Sequence, residues 1–301
     1  MNNSVRRAIW RDLSRLNKPA LSGISGLALL LWAALLLPGF ALATEARLMS
    51  YNIRYDTPAD GVNAWPQRKA AVAELLRQHA PDIFGIQEAL PHQVSELSAA
   101  LPDYGWLGLG RDADGGGEGV PVYYRKDRFT LLQSATFWLS ETPGSPSRGW
   151  DAALNRICSY GQFEDKSSRR RLWVINCHFD HAGQKARLES ARLVLSQIET
   201  INPDGEPLVL MGDFNAEPES PPMVLLKQDL SDSRDSSRSP PSGPPWTFSG
   251  FAVEGAVTRR IDYLFTASRG SVEVLEHAVL DDANAGRYPS DHLPVLVRIR
   301  Y

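Results

Sequence analysis

Leu208-Val209-Leu210-Met211-Gly212-Asp213-Phe214-Asn215 is a short apolar run that passes directly into a glycine, a carboxylate and an amide. The same form recurs where Ile83-Phe84-Gly85-Ile86 ends in Gln87-Glu88. It recurs again where Leu172-Trp173-Val174-Ile175 ends in Asn176-Cys177-His178-Phe179-Asp180-His181. Near the end of the chain, Ser290-Asp291-His292 precedes a last apolar run over residues 295–299. Short continuous apolar runs bounded by polar residues are strands buried on both faces. Ligand sites gather just beyond the ends of such strands. A single polar strand end is ordinarily a turn or cap; four that carry carboxylates, amides and imidazoles supply the oxygen ligands of a hard cation such as Mg2+ and the donors of a phosphate site.

Working outward, further strands are expected at 47–53, 120–124, 156–163, 261–265 and 272–279. A helix is expected over 66–79, with Ala70, Ala73 and Leu76 on one face and Pro66 in its first turn. A second spans 184–200, where Leu188, Ala191, Leu195 and Ile198 recur at helical spacing. Few helices among strands that succeed one another directly indicate a mixed α/β or α+β sandwich, not a strictly alternating doubly wound sheet. One catalytic domain is expected over 44–301. The Ser-, Pro- and Arg-rich stretch 231–245 reads as a surface loop. Residues 110–119 form a glycine-rich loop without a phosphate-loop lysine or a dinucleotide-binding spacing.

Residues 1–43 read as an export signal. Arg6, Arg7, Arg11, Arg15 and Lys18 precede an apolar run over 20–37, and Ala41-Leu42-Ala43 offers a small-residue cleavage site. The alternative is an uncleaved membrane anchor. Arg6-Arg7 is succeeded by Ala8-Ile9-Trp10, a poor match to a twin-arginine signal. The expected location is therefore periplasmic or secreted, with membrane attachment only if the segment is retained. Of 32 Lys and Arg and 35 Asp and Glu, the segment holds five and one, leaving 27 basic against 34 acidic residues. Such a surface does not suit tight binding of long duplex DNA, which depends on phosphate neutralisation; a short or small substrate fits better. Cys158 and Cys177 are the only cysteines, which excludes a thiolate zinc site. Both lie in apolar strand-like runs and are expected to be buried free thiols, although export would permit a bridge.

Met49-Ser50-Tyr51-Asn52, Gly85-Ile86-Gln87-Glu88, Asn176-Cys177-His178, Gly212-Asp213-Phe214-Asn215, Ile261-Asp262-Tyr263 and Ser290-Asp291-His292 together resemble the endonuclease/exonuclease/phosphatase superfamily, whose fold is the four-layer α/β/β/α sandwich of the DNase I type. The resemblance covers nearly all of 44–301. It implies that Glu88 is the principal ligand of Mg2+ or Mn2+, with Asn52 and Asp291 beside it, and that Asp213 activates the attacking water. Asn215 would hold the water or a phosphate oxygen. His292, aligned by Asp262, and His178 would donate to the non-bridging oxygens. Glu118, in Gly117-Glu118-Gly119-Val120, resembles a glutamate that supports the first histidine; the alternative is a solvated loop carboxylate. Arg156, before a strand, is either a bidentate phosphate clamp or a surface salt bridge.

Where several nuclease relatives carry an acidic residue two positions after the first asparagine, this chain has Arg54, which argues against a second metal there. Trp65-Pro66-Gln67-Arg68 and the stretch from Phe137-Trp138 to Pro143 mark a bacterial branch; Trp65 is open between packing and stacking on a base. Phosphodiester cleavage in a nucleic acid or nucleotide is the first expectation. Hydrolysis of an inositol phosphate, sugar phosphate or phospholipid headgroup is the alternative, and a catalytically silent binding module the non-enzyme reading. No obligate protein partner is evident, and a monomer is expected.

Overall fold

The computed structural model describes residues 43–254, 258–267, 272–283 and 286–301. All but the last residue of the segment read as an export signal lies outside them. No helix among the described residues is long and apolar enough to cross a membrane.

Two six-stranded sheets pack face to face. The first runs in the order β11 (Glu273–Val279), β12 (Val295–Arg300), β1 (Glu45–Asn52), β2 (Ile83–Gln87), β4 (Val122–Arg125) and β3 (Tyr104–Leu107). The second runs β5 (Phe129–Trp138), β6 (Ile157–Asp165), β7 (Arg171–His178), β8 (Leu208–Asp213), β10 (Asp262–Ala267) and β9 (Leu230–Asp232). Each sheet has one parallel pair, crossed over by the longest helix on its side. α1 (Trp65–His79) joins β1 to β2, and α3 (Gln184–Ile201) joins β7 to β8. α2 (Pro91–Ala100) lies with α1; α4 (Pro221–Asp229) packs on α3, and the one-turn α5 (Ser233–Ser236) comes directly after β9.

Alternation along the strands builds three apolar layers. Leu48 and Ile83 face Phe163, Val174, Val209 and Met211 between the sheets. The alternate residues Met49, Tyr51, Phe84 and Ile86 turn outward onto Val72 and Leu76 of α1. Ile175, Leu210 and Phe265 face Ala191 and Val194 of α3. This is the expected four-layer sandwich. Each fully buried aliphatic side chain contributes about 1.5–3 kcal/mol, and a one-residue slip would exchange the two faces of a strand, so the register is tightly fixed.

That register sets the site. It places Asn52 beside Gln87, His178 beside Asp213, and Asp262 opposite Asp213. Between the sheets the Gln87 amide donates to Asn176 Oδ1 (2.6 Å) and Asn176 Nδ2 donates to the Ile86 carbonyl (2.8 Å). Gly85 makes room for this tie, because a Cβ there would lie 2.5 Å from Asn176 Cγ. Gly212, at φ 152°, likewise lets β8 pass the Cys177 carbonyl, 2.1 Å from where a Cβ would stand.

Two expectations are corrected. Cys158 and Cys177 are disulfide-bonded, not free thiols: they stand directly opposite each other in the β6–β7 ladder, with Cα atoms 4.2 Å apart. The stretch 231–245 is not simply a surface loop, since it opens with the end of β9 and with α5, and Asp232 and Ser233 are buried. Asp232 accepts from the Arg234 backbone N–H and from Arg260, a local Asx turn that composition alone conceals. Trp65 is a packing residue, 1% exposed, with its indole N–H on Glu96.

Candidate active site

The ends of the two parallel pairs meet at one edge of the sandwich. From the first sheet come Asn52 and Glu88; from the second come His178, Asp213 and Asn215. Asp262 opens β10, and Asp291 and His292 lie on the approach to β12. Three of the residues that turn the chain here have left-handed backbones: Arg54 (φ 57°), Glu88 (φ 62°) and Asn215 (φ 47°). Asparagine tolerates that region. For Arg54 and Glu88 it is strained, at a cost on the order of 1–3 kcal/mol each, and strain of this kind concentrates at functional sites.

Asp213 is the centre. Its Oδ2 accepts from Asn52 Nδ2 (3.0 Å) and lies 3.5 Å from His178 Nε2 and 3.8 Å from His292 Nε2. Its Oδ1 accepts the Asn215 backbone N–H (2.8 Å). Burial, reinforced by the Asp262 carboxylate, pushes its pKa up to about 7. His292 Nδ1 meets Asp262 Oδ2 at 2.9 Å. Burial alone would lower this imidazole, but Asp262 and Asp213 outweigh it and push its pKa up to about 10. His178 goes the other way: burial, then the Arg156 and Arg111 guanidinium groups, hold it well below the ordinary imidazole range. The site therefore keeps one imidazole charged and the other neutral at pH 7.

Glu88 accepts from Asn52 Nδ2 (3.1 Å) and from the Tyr55 backbone N–H (3.1 Å). Asn52 Oδ1 accepts from the Arg54 N–H (2.9 Å), so the amide turns its NH2 group toward the two carboxylates. Asp291 is 7% exposed, and burial, with Glu88 nearby, raises its pKa. Arg54 is held by both oxygens of Asp60 and stands 3.9 Å from Glu88 and 4.0 Å from Asp291. Ligating atoms of Glu88, His178 and Asp213 lie within 4.8 Å of one another, as do those of Asp213, Asp262 and His292. Asp262 Oδ1 is buried with no hydrogen-bond partner among the described residues. Close-set carboxylates, with Asp291 raised by burial beside Glu88, fit a hard divalent cation.

Arg156 is neither a surface salt bridge nor a free clamp. It is 5% exposed and meets both ring nitrogens of His178 (Nδ1 3.0 Å, Nε2 3.1 Å), His181 Nδ1 (3.0 Å), Asp180 (3.4 Å) and Glu118 (3.7 Å). A guanidinium only donates, so its presence beside the ring disfavours the charged imidazolium. Glu118 pairs with Arg111 (2.7 Å) and reaches His178 only through Arg156. Burial raises the Glu118 carboxyl, with Arg111 opposing.

Sequence reasoning assigns no role to Asp180 and His181. Asp180 accepts the backbone N–H groups of Ala153 (3.1 Å), Leu154 (3.3 Å), Ala182 (3.0 Å) and Gly183 (2.7 Å), folding the loop that presents Arg156. Its spacing of two from His178 at a strand end is the one signal of that role in the sequence. A cavity of about 470 Å³ covers the site, and Arg54, Arg111, Arg259, His181 and Phe248 line it beside the residues above. The Phe248 ring stands edge-on to His292 at 5.1 Å.

Comparison with known proteins agrees with this arrangement. The model of the Endonuclease/Exonuclease/phosphatase family matches residues 49–292. A family member of known structure from Bacteroides thetaiotaomicron is 36% identical with a TM-score of 0.81, over 86% of this chain and 98% of that one. A mannosyl-6-phosphatase of the same organism is also 36% identical, TM-score 0.81, over 85% of this chain and all of its own. Human nocturnin is 23% identical over 83% of this chain, and the match spans 64% of nocturnin's length.

Proposed function

The chain belongs to the endonuclease/exonuclease/phosphatase family, and from that premise we propose that it is a Mg2+- or Mn2+-dependent hydrolase of a small phosphate ester, a sugar phosphate in particular. The observation that carries this reading is the convergence of Asn52, His178 and His292 on one oxygen of Asp213, with Glu88 on the other side of Asn52.

Glu88 and Asp291 would hold the cation, with Asn52 orienting Glu88; when bound, the cation polarises the phosphoryl oxygen as a Lewis acid. Asp213 takes the proton of the attacking water. Its raised pKa brings it near the operating pH, where a general base is most effective, and Asn52 and the Asn215 N–H fix its two oxygens. His292, kept charged by Asp262, donates to the phosphate. His178, neutral, is met by Arg156 at both ring nitrogens and by the Asn215 amide at Nε2 (3.2 Å), and so holds these two donors at the edge of the phosphate position. Such preorganised donors stabilise charge that develops in the transition state. No covalent intermediate is required.

The small-ester reading is supported by the modest size of the cavity, about 470 Å³, by arginines that line it within an otherwise acidic chain, and by likeness to the mannosyl-6-phosphatase. Phosphodiester cleavage, the first expectation from sequence, is the second reading, favoured by likeness to nocturnin and by the Phe248 ring at the cavity. An exported location is part of the proposal, since the Cys158–Cys177 bridge suits an oxidising compartment; recovery of uncleaved protein from the cytoplasm alone would contradict it. The test of activity is release of phosphate, nucleotide or phosphocholine from mannose 6-phosphate, inositol phosphates, nucleotides, single-stranded DNA, RNA and sphingomyelin, with Mg2+, Mn2+ or EDTA. EDTA-sensitive release of inorganic phosphate from the sugar phosphate is expected. Turnover confined to the diesters would transfer the assignment to the second reading, and no turnover at all would favour a binding module.

A further inference from the structure

Trp65-Pro66-Gln67-Arg68 stands out in the sequence, yet the reaction above uses none of it. Arg68, in the first turns of α1, is 5% exposed. Among the described residues no carboxylate lies within ion-pair distance of it. Its donors go instead to backbone carbonyls. Nε donates to Asn63 (2.8 Å), Nη2 to Arg54 (2.6 Å) and Tyr55 (3.5 Å), and Nη1 to Ile53 and, at 3.4 Å, to Pro289. The Trp65 and Phe251 rings flank the guanidinium, 5.1 and 5.7 Å from Cζ.

Burying a charge without a counter-ion is costly unless its hydrogen bonds are met, and here, apart from the Asn63 carbonyl on Nε, they are met by two chain segments that carry the acidic half of the site. The first, 53–55, contains the left-handed turn at Arg54. Its N–H groups orient Asn52 Oδ1 and Glu88 Oε2. The second begins at Pro289; next to it Ser290 Oγ donates to the Asn52 carbonyl (2.7 Å), and Asp291 comes after. Five N–H donors in a rigid fork reach both segments at once, which no lysine can do.

We infer that Arg68 is a positioning residue for the cation site, a buried clamp that holds Asn52, Glu88 and Asp291 in one arrangement through the carbonyls of 53–55 and 289. The inference rests on the metal-dependent reading only for its consequence, not for the clamp itself.

The test compares wild type with Arg68→Gln, Arg68→Lys and Val72→Ala, the last weakening α1 from its buried face without touching the clamp. Mn2+ affinity is measured by calorimetry, kcat and KM on the substrate found active, and, without metal, hydrogen exchange at the amides of 54 and 55. Partners of this kind change metal affinity about 10- to 100-fold. Arg68→Gln should weaken Mn2+ by that factor, lower kcat with KM within about twofold, and speed exchange at both amides, as is usual when a buried hydrogen-bonded turn loses its anchor. Arg68→Lys should recover part of each. If Val72→Ala, at equal loss of Tm, weakens Mn2+ as much, or if exchange at 54 and 55 is unchanged in Arg68→Gln, the inference is overturned. Failure of the wild type to bind Mn2+ would sink the metal-dependent reading, while the exchange measurement still decides the clamp.

Discussion

The two halves of the site are built in different ways. The half from the first sheet, Asn52, Glu88 and Asp291, rests on backbone: its side chains are oriented by N–H groups of a left-handed turn, and an arginine grips the carbonyls of that turn. The half from the second sheet, His178, Asp213, Asp262 and His292, rests on side chains buried against one another, with an imidazole–carboxylate pair at its base. The first concentrates negative charge, as a cation site requires. The second divides its charge into a base, a protonated imidazole and a neutral one. One active site thus separates electrophilic from proton-transfer work by drawing each from a different sheet.

The sharpest break should come from the side-chain half. Asp213→Ala removes the base, and kcat is expected to fall by about 10³- to 10⁴-fold, at the upper end of general-base contributions, with the fold retained by circular dichroism. A loss under about tenfold, below the usual range for a general base, would mean that Asp213 is not the base. The cation half should respond differently. Glu88→Gln is expected to weaken Mn2+ by more than about 100-fold, beyond what outer-shell partners contribute, and excess metal should restore much of kcat. No change in the metal dependence would remove Glu88 from the ligand set.

A smaller and more diagnostic effect is expected for Asp262→Asn, about 10²- to 10³-fold in kcat, typical for loss of a preorganised donor. Its signature lies in the pH profile. In the wild type Asp213, pushed up to about 7, must be ionised, so kcat rises with pH through that region. His292, pushed up to about 10, must keep its proton, so kcat falls above that value. Without Asp262 the falling limb should move toward the ordinary imidazole range; an unmoved limb would dissociate His292 from it. In stability terms the raised imidazole contributes fully below about 6.5 and its contribution is lost as pH rises through about 10.

The smallest effect on catalysis is expected at the disulfide. Cys158→Ala with Cys177→Ala should leave kcat within about twofold, while stability falls by about 2–4 kcal/mol, the usual contribution of a bridge. A large loss of kcat would show that the bridge also sets His178, its neighbour in β7.

Much of the fold and site is legible in the sequence because the central strands are buried on both faces and end in polar residues: the strand ends that bear Glu88, His178, Asp213 and Asp291 stand out from pattern alone, and Asn52 from the family resemblance. What escapes is one-sided. β5 pairs only with β6, carries a bulge between Leu131 and Gln133 and exposes much of its length, so it lacks a continuous apolar run. α2 buries only Gln93, Val94 and Leu97, too thin a stripe for periodicity to reveal. The bridge is hidden because two cysteines 19 apart in apolar strands look alike whether or not the strands are neighbours in register. The role of Arg156 is hidden because its partners Glu118, His178 and His181 come from separate stretches of sequence and converge only in the folded chain.

The division between the halves is tested most directly by a crystal structure with Mn2+ and a phosphate or sulfate ion, using anomalous scattering to locate the metal. The account predicts Mn2+ on the Glu88 carboxylate, with the tetrahedral ion between it and His178, Asn215 and His292, and Asp213 left free of metal. Mn2+ bound instead among Asp213, Asp262 and His292 would contradict it, because the base and the charged donor would then themselves be the ligands.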